Sequence, residues 1–101
     1  MSIKKQYLKS RAICKVTFTL PREAAETAET VHIVGDFNNW DNSATPMKKL
    51  KNGGFTTTLE LELDREYQFR YLIDGKKWEN DWNADKYVPS SYGEDNSVVT
   101  I

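Results

Sequence analysis

Two tryptophans stand just past the ends of apolar strands. The run Val31-His32-Ile33-Val34 passes through Gly35-Asp36-Phe37-Asn38-Asn39 into Trp40. The run Phe69-Arg70-Tyr71-Leu72-Ile73 passes through Asp74-Gly75-Lys76-Lys77 into Trp78. An indole beside polar turn residues is poorly placed for a core and well placed for a flat ligand. A pyranose ring presents axial C–H groups on one face, apolar and slightly positive. The face of an indole is apolar and slightly negative, so the two stack. The hydroxyl rim of a sugar then requires hydrogen-bonding partners, which Asn, Arg, Lys and Asp supply.

For each candidate the residues leave a plainer reading open. Asn38 and Asn39 tolerate turn and left-handed backbone, and Asp41, Asn42 and Ser43 are polar, so Trp40 is expected to be incompletely enclosed; a plug at the end of the fold is the alternative. Trp78 follows a turn and two lysines and is expected to be exposed. Trp82 and Tyr87 lie further along the same polar segment, where one of them is expected to anchor it. Arg70 alternates out of phase with Tyr67, Phe69, Tyr71 and Ile73, which puts it on the outer face of its strand together with Gln68. By spacing alone it reads as a surface charge.

Catalysis finds little support. Glu60 and Glu62 share one solvent face of a strand, while Asp81, Asp85, Glu94 and Asp95 fall in an irregular stretch. A glycosidase requires two carboxylates held across a cleft in different environments. His32 is the only histidine, no Cys/His cluster offers a metal site, and there is no glycine-rich phosphate loop. No enzyme activity, metal or cofactor is expected.

The elements that must position these residues are strands. Cys14, Val16, Phe18 and Leu20 alternate with Lys15, Thr17 and Thr19; Phe55, Thr57, Leu59, Leu61 and Leu63 alternate with Thr56, Thr58, Glu60 and Glu62. A last strand covers Val98 to Ile101. Asn52-Gly53-Gly54 is expected to close a hairpin between Met47–Leu50 and Phe55 onward, Asp74-Gly75 another, and Asp64-Arg65 a turn between adjacent strands. Arg22 to Glu29 has helical composition but follows Pro21 and lacks an apolar face, so a loop or single turn is expected. Residues 79 to 96 read as a long polar loop, often a place for function. Six to eight short strands in one chain of 101 residues predict an all-β, immunoglobulin-like antiparallel β-sandwich. Residues 1–12 read as a basic lead-in and 13–101 as the domain.

A formal net charge of -1 argues against a nucleic-acid partner, and the lead-in lysines 4, 5 and 9 with Arg11 read as a solvated terminus. Those lysines also interrupt any apolar signal region, no run approaches a membrane span, and Cys14, the single cysteine, excludes an intrachain disulfide. A cytoplasmic location is the expectation.

From about Cys14 to Ile101 the chain resembles carbohydrate-binding module family 48. That family includes the early-set domains of isoamylases and branching enzymes and the glycogen-binding domain of the AMP-activated protein kinase beta subunit. The resemblance rests on Gly35-Asp36-Phe37-Asn38-Asn39-Trp40, on Tyr71-Leu72-Ile73-Asp74-Gly75 leading to Trp78, and on Gly93 to Asn96. It implies an early-set sandwich that binds α-1,4-linked glucan, glycogen or a starch-like polymer or a malto-oligosaccharide. Trp40 and Trp78 would stack on glucose rings, and Trp78 stands after one extra turn residue. Arg70 takes the place of a sugar-contacting lysine, with different donor geometry. Tyr92-Gly93-Glu94-Asp95-Asn96 takes the place of a Leu-Gly-Thr-x-Asn stretch. Asn96 therefore carries over as a hydroxyl partner and Tyr92 as a third apolar surface, while Glu94 departs from the threonine. Asn39, Lys77 and Trp82 are further candidates, and Trp82 stands where the family often has proline. The resulting expectation is a stand-alone, non-catalytic module that targets a glycogen-metabolising enzyme or another protein to glucan. The rival is a protein-interaction module on the same scaffold that has lost sugar binding. An exposed apolar patch away from Trp40 and Trp78 would mark that rival.

Overall fold

The computed structural model describes residues 2–91 and 93–101. Alternation of apolar and polar side chains builds two antiparallel sheets. In the first, β2 (Ile13–Leu20) pairs along its whole length with β5 (Phe55–Glu62), from Ile13 opposite Glu62 to Leu20 opposite Phe55. The edge strands are β1 (Ser2–Tyr7) on β2 and the two-residue β4 (Lys48–Lys49) on β5, giving the order β1-β2-β5-β4. In the second sheet β6 (Glu66–Ile73) is central. One flank of β6 takes β3 (Val31–Gly35). The other flank is shared end to end by β9 (Asp95–Thr100), opposite Glu66 to Phe69, and β7 (Lys77–Glu79), opposite Tyr71 to Ile73. Strand β8 (Lys86–Pro89) lies outside β9.

The sheets close over one core. Cys14, Val16, Phe18 and Leu20 of β2 meet Tyr67, Phe69, Tyr71 and Ile73 of β6, all buried. Phe18 meets Phe69 edge-on at 5.1 Å between ring centroids, and Phe37 enters from the loop after β3 to touch Phe18, Tyr67 and Phe69. Such aromatic contacts add to the burial of their apolar area.

The immunoglobulin-like sandwich expected from the alternation is the observed architecture. Both glycine hairpins form: Leu50 N–H reaches Gly54 C=O, and Lys76 N–H reaches Ile73 C=O with Asp74 and Gly75 at positive φ, as a primed turn requires. Four details differ. Residues 2–7, expected as part of a solvated lead-in, form β1, because Ile3 packs on the core and Lys5 donates to Asp85 and to the Thr100 carbonyl. Strands β5 and β6 are not neighbours; the turn at Asp64-Arg65 carries the chain from one sheet to the other. The single helical turn α1 (Arg22–Ala25) does have an apolar side, since Ala24, Ala25 and Ala28 are buried. The polar stretch 79–96 contains β8, and among the described residues the strands number nine because β4 and β7 are so short. Among those residues no helix is long and apolar enough to cross a membrane.

Candidate functional site

The site is built on the outer face of the second sheet. Val34 lies opposite Arg70, and Leu72 lies between His32 and Trp78; all share one phase of the pleat. Asn96 and Val98 continue the same phase on β9. Chain segments fold over this face, so Val34, Leu72 and Val98 are buried although they point away from the core.

The motif after β3 raises Trp40 beside this face, and each residue of it has a physical task. A Cβ on Gly35 would lie 2.4 Å from the Gln68 carbonyl oxygen and 2.7 Å from the Phe69 Cβ, so only glycine fits against β6. Asp36 accepts from the Gln68 backbone N–H at 2.7 Å and from the Trp40 indole Nε1–H at 2.9 Å, joining the tryptophan to the sheet. Phe37 turns into the core. Asn38 accepts from Gly35 N–H at 3.0 Å and donates to Ile33 C=O at 2.9 Å and to Thr45 Oγ1 at 3.0 Å, closing the loop on itself. Asn39 and Trp40 both take left-handed backbone, φ 57° and 56°. That conformation is easy for asparagine and costs a bulky residue about 1–3 kcal/mol. The Trp40 N–H bond to Gly35 C=O at 2.9 Å and the indole bond to Asp36 hold it there. Beyond Trp40, the Ser43 N–H and hydroxyl donate to Asp41 and hold its carboxyl below the usual carboxylate range.

Trp78 is delivered by the β6–β7 hairpin. The Asp74 carboxylate in its turn accepts from the N–H groups of Thr30 and Glu29, which hold its pKa down and tie the hairpin to the chain entering β3. Trp78 is 39% exposed, and the Arg70 guanidinium carbon lies 6.0 Å from its ring centroid.

Arg70 is on the outer face, as its phase requires, but it is 9% exposed rather than a free surface charge. Its Nε donates to Asn96 Oδ1 at 2.6 Å, one terminal nitrogen to Ser90 Oγ at 3.1 Å and the other to Glu94 Oε2 at 3.2 Å. Asn96 Nδ2 in turn donates to Gln68 Oε1 at 3.0 Å. The guanidinium thus straps the segment after β8 across the sheet. Glu94, standing in place of a threonine, contributes an anion to that strap and is itself 73% exposed.

These parts enclose an open groove of about 870 Å³. Four of the five principal candidates, Trp40, Arg70, Trp78 and Asn96, line it together. The fifth, Tyr92, lies outside the described residues. Asn39, Lys77 and Trp82 do not line the groove; Asn39 serves the turn and Lys77 is exposed on β7. Among the described residues Asn42, Gln68, Pro89, Ser90, Ser91 and Glu94 also line it. Of these Gln68 was within reach of the alternation, being in phase with Arg70. Glu94 stood in the stretch that the resemblance singled out, and the others depend on the path of two loops, for which spacing carries no signal. Pockets with a few fixed polar groups against aromatic surface suit small organic ligands. Among the described residues no group of His, Cys, Asp and Glu is arranged to hold a metal ion.

Residues 15–90 match the family described as carbohydrate-binding module 48, the isoamylase N-terminal domain. The chain belongs to that family. A 1,4-alpha-glucan branching enzyme GlgB from Butyrivibrio fibrisolvens is 34% identical to it over 64 residues, and one from Halothermothrix orenii is 32% identical over 64 residues. Each alignment covers 63% of this chain and 10% of the relative, so the chain spans about a tenth of the length of these curated relatives.

Proposed function

We propose that the chain is a non-catalytic module that binds α-1,4-linked glucan, with glucose rings stacked on Trp40 and Trp78. The observation that carries this reading is the convergence of Trp40, Arg70, Trp78 and Asn96, distant in sequence, on one groove. Membership of a carbohydrate-binding family and likeness to glucan branching enzymes support it. The two indoles supply apolar faces, while Gln68, Asn42, Ser91 and Glu94 offer hydroxyl partners around them. Three of the five Arg70 N–H donors are engaged by Asn96, Ser90 and Glu94, so it sets the shape of the groove and leaves stacking to the indoles. Two stacked rings and a few hydrogen bonds, set against the cost of association, give a dissociation constant of about 10 µM to 1 mM for a short oligosaccharide. A polymer would be held more tightly through its many repeats. In this role the chain brings glucan to a glycogen-metabolising enzyme or another protein partner.

Calorimetric titration with maltoheptaose, with cellohexaose as control, tests the reading. It predicts saturable binding of the α-linked ligand alone, sharply weakened in the Trp40→Ala/Trp78→Ala variant. Equal binding by the wild type and that variant would remove the indoles from the site.

A further inference from the structure

Among the described residues, aromatic side chains are also exposed outside the groove. Among the described residues the exposed large hydrophobic side chains are Tyr7 at 55%, Trp82 at 51%, Tyr87 at 44% and Trp78. Only Trp78 belongs to the groove. Trp82 belongs to the β7–β8 connection and Tyr87 to β8, and Tyr7 belongs to β1, the strand that Lys5 joins to that connection at Asp85. Lys5 of β1 donates to Asp85 at 2.8 Å, and Tyr7 follows Lys5 in the same phase. Asp85 lies between Trp82 and Tyr87 in sequence.

This connection is rigidly built. Asp81, fully buried, accepts from the Tyr71 hydroxyl at 2.7 Å and from Asn83 N–H at 2.8 Å, while its own N–H donates to Ser97 Oγ at 2.9 Å. The Tyr87 hydroxyl donates to the Asp81 carbonyl and accepts from Ala84 N–H at 3.4 Å. The backbone N–H groups of both neighbours of Trp82 are therefore hydrogen-bonded. Trp82 is 51% exposed, and the Tyr87 hydroxyl is pinned to the same turn at Asp81 and Ala84. A rigid aromatic surface lets a weak ligand bind without an ordering cost.

We infer that Trp82 and Tyr87, flanked by Tyr7, form a second saccharide-binding surface, separate from the groove. This inference rests on the glucan-binding reading above. Two features favour a sugar over a protein partner. The exposed large side chains on this flank are aromatic, with no large aliphatic among them. An ion pair, Lys5–Asp85, joins β1 to this connection, and Asn83 and Lys86 lie near Asp85 in sequence. The centre of a protein interface is depleted in charge, whereas the hydroxyl rim of a sugar can use charged partners around an aromatic face. A polymer able to touch both surfaces of one module gains avidity that a short oligosaccharide does not.

The test uses the Trp82 indole as reporter. The chain has three tryptophans, so in the Trp40→Ala/Trp78→Ala variant the single indole N–H signal is that of Trp82. Titration with maltoheptaose should move that signal saturably, and the same signal should move in the wild type. In affinity electrophoresis through glycogen, Trp82→Ala should lose retention by about tenfold, Trp82→Tyr should keep most of it, and maltoheptaose binding at the groove should stay unchanged. A Trp82 signal that stays still while Trp40 and Trp78 respond would overturn the second surface and leave the groove reading intact. Stillness of all three indoles would remove both. If Trp82→Ala changes self-association in sedimentation with no sugar-induced shift, the flank is a protein contact and the inference fails.

Discussion

The two outer faces of this sandwich are built from the same alternation and end in opposite states. On the β2–β5 sheet the outward positions are Lys15, Thr17, Thr19, Thr56, Thr58 and Glu60, none of them buried. Their hydroxyls pair across strands, Thr17 with Thr58 at 2.9 Å and Thr19 with Thr56 at 3.4 Å. No aromatic side chain stands among these positions, and water covers the face. On the β6 sheet the outward positions include Val34, Arg70, Leu72, Asn96 and Val98, all buried, with Trp78 beside them. Two loops make the difference. One is locked by Gly35, Asp36 and Asn38, the other by Arg70. Desolvating a sheet face under loops leaves its polar groups paired and fixed, which is the preparation that binding requires.

The largest expected effect breaks the locked loop. Gly35→Ala places a methyl group into the Gln68 carbonyl and Phe69, and should cost about 2–4 kcal/mol in denaturant unfolding while abolishing glucan binding at the groove. Tyr71→Phe comes next. It removes one donor from the buried Asp81 carboxylate, leaving it the Asn83 N–H, and should cost about 1–3 kcal/mol. The same variant has a pH signature. Burial, and then the Asp81 carboxylate, push the Tyr71 hydroxyl well above its ordinary value of 10. The unfolded chain releases this proton near pH 10 and the folded chain keeps it. The stabilisation is therefore complete below pH 10 and is lost as pH rises above it, and the wild type should lose stability there more steeply than Tyr71→Phe.

Trp40→Ala and Trp78→Ala sharpen the contrast between faces. Each should weaken maltoheptaose binding by about tenfold, roughly 1–2 kcal/mol of stacking, and the exposed Trp78 should do so with little change in stability. Thr58→Ala, on the other face, gives the smallest effect: about 0.2–1 kcal/mol of stability for the lost cross-strand pair, and no change in binding. A binding defect in Thr58→Ala equal to that of Trp78→Ala would erase the distinction.

What alternation and turn chemistry encode was legible in the sequence. The long strands β2, β5 and β6, both glycine hairpins and the outward phase of Arg70 follow from period and from residues at positive φ. So does the pairing of two indoles with strand ends. What tertiary contact decides was not. β1 was hidden by Lys4 and Lys5, because the lysine that suggests solvent is the one that closes the sandwich on Asp85. β8 is four residues ending in proline within a polar stretch. The burial of Arg70 depends on Ser90, Glu94 and Asn96, 20 to 26 positions away, and phase alone could say only that it pointed outward. Asp81 read as one carboxylate in an irregular segment, yet its burial against Tyr71 makes that segment rigid.

The most direct test of the account maps maltoheptaose onto the backbone amides of the labelled chain. The account predicts saturable shifts at Trp40, Asn42, Gln68, Trp78, Ser90 and Asn96, together with the Trp40 and Trp78 indole signals, and none at Thr17, Thr19, Thr56 or Thr58. Shifts centred on the threonine face, or an unchanged spectrum at millimolar ligand, would contradict it.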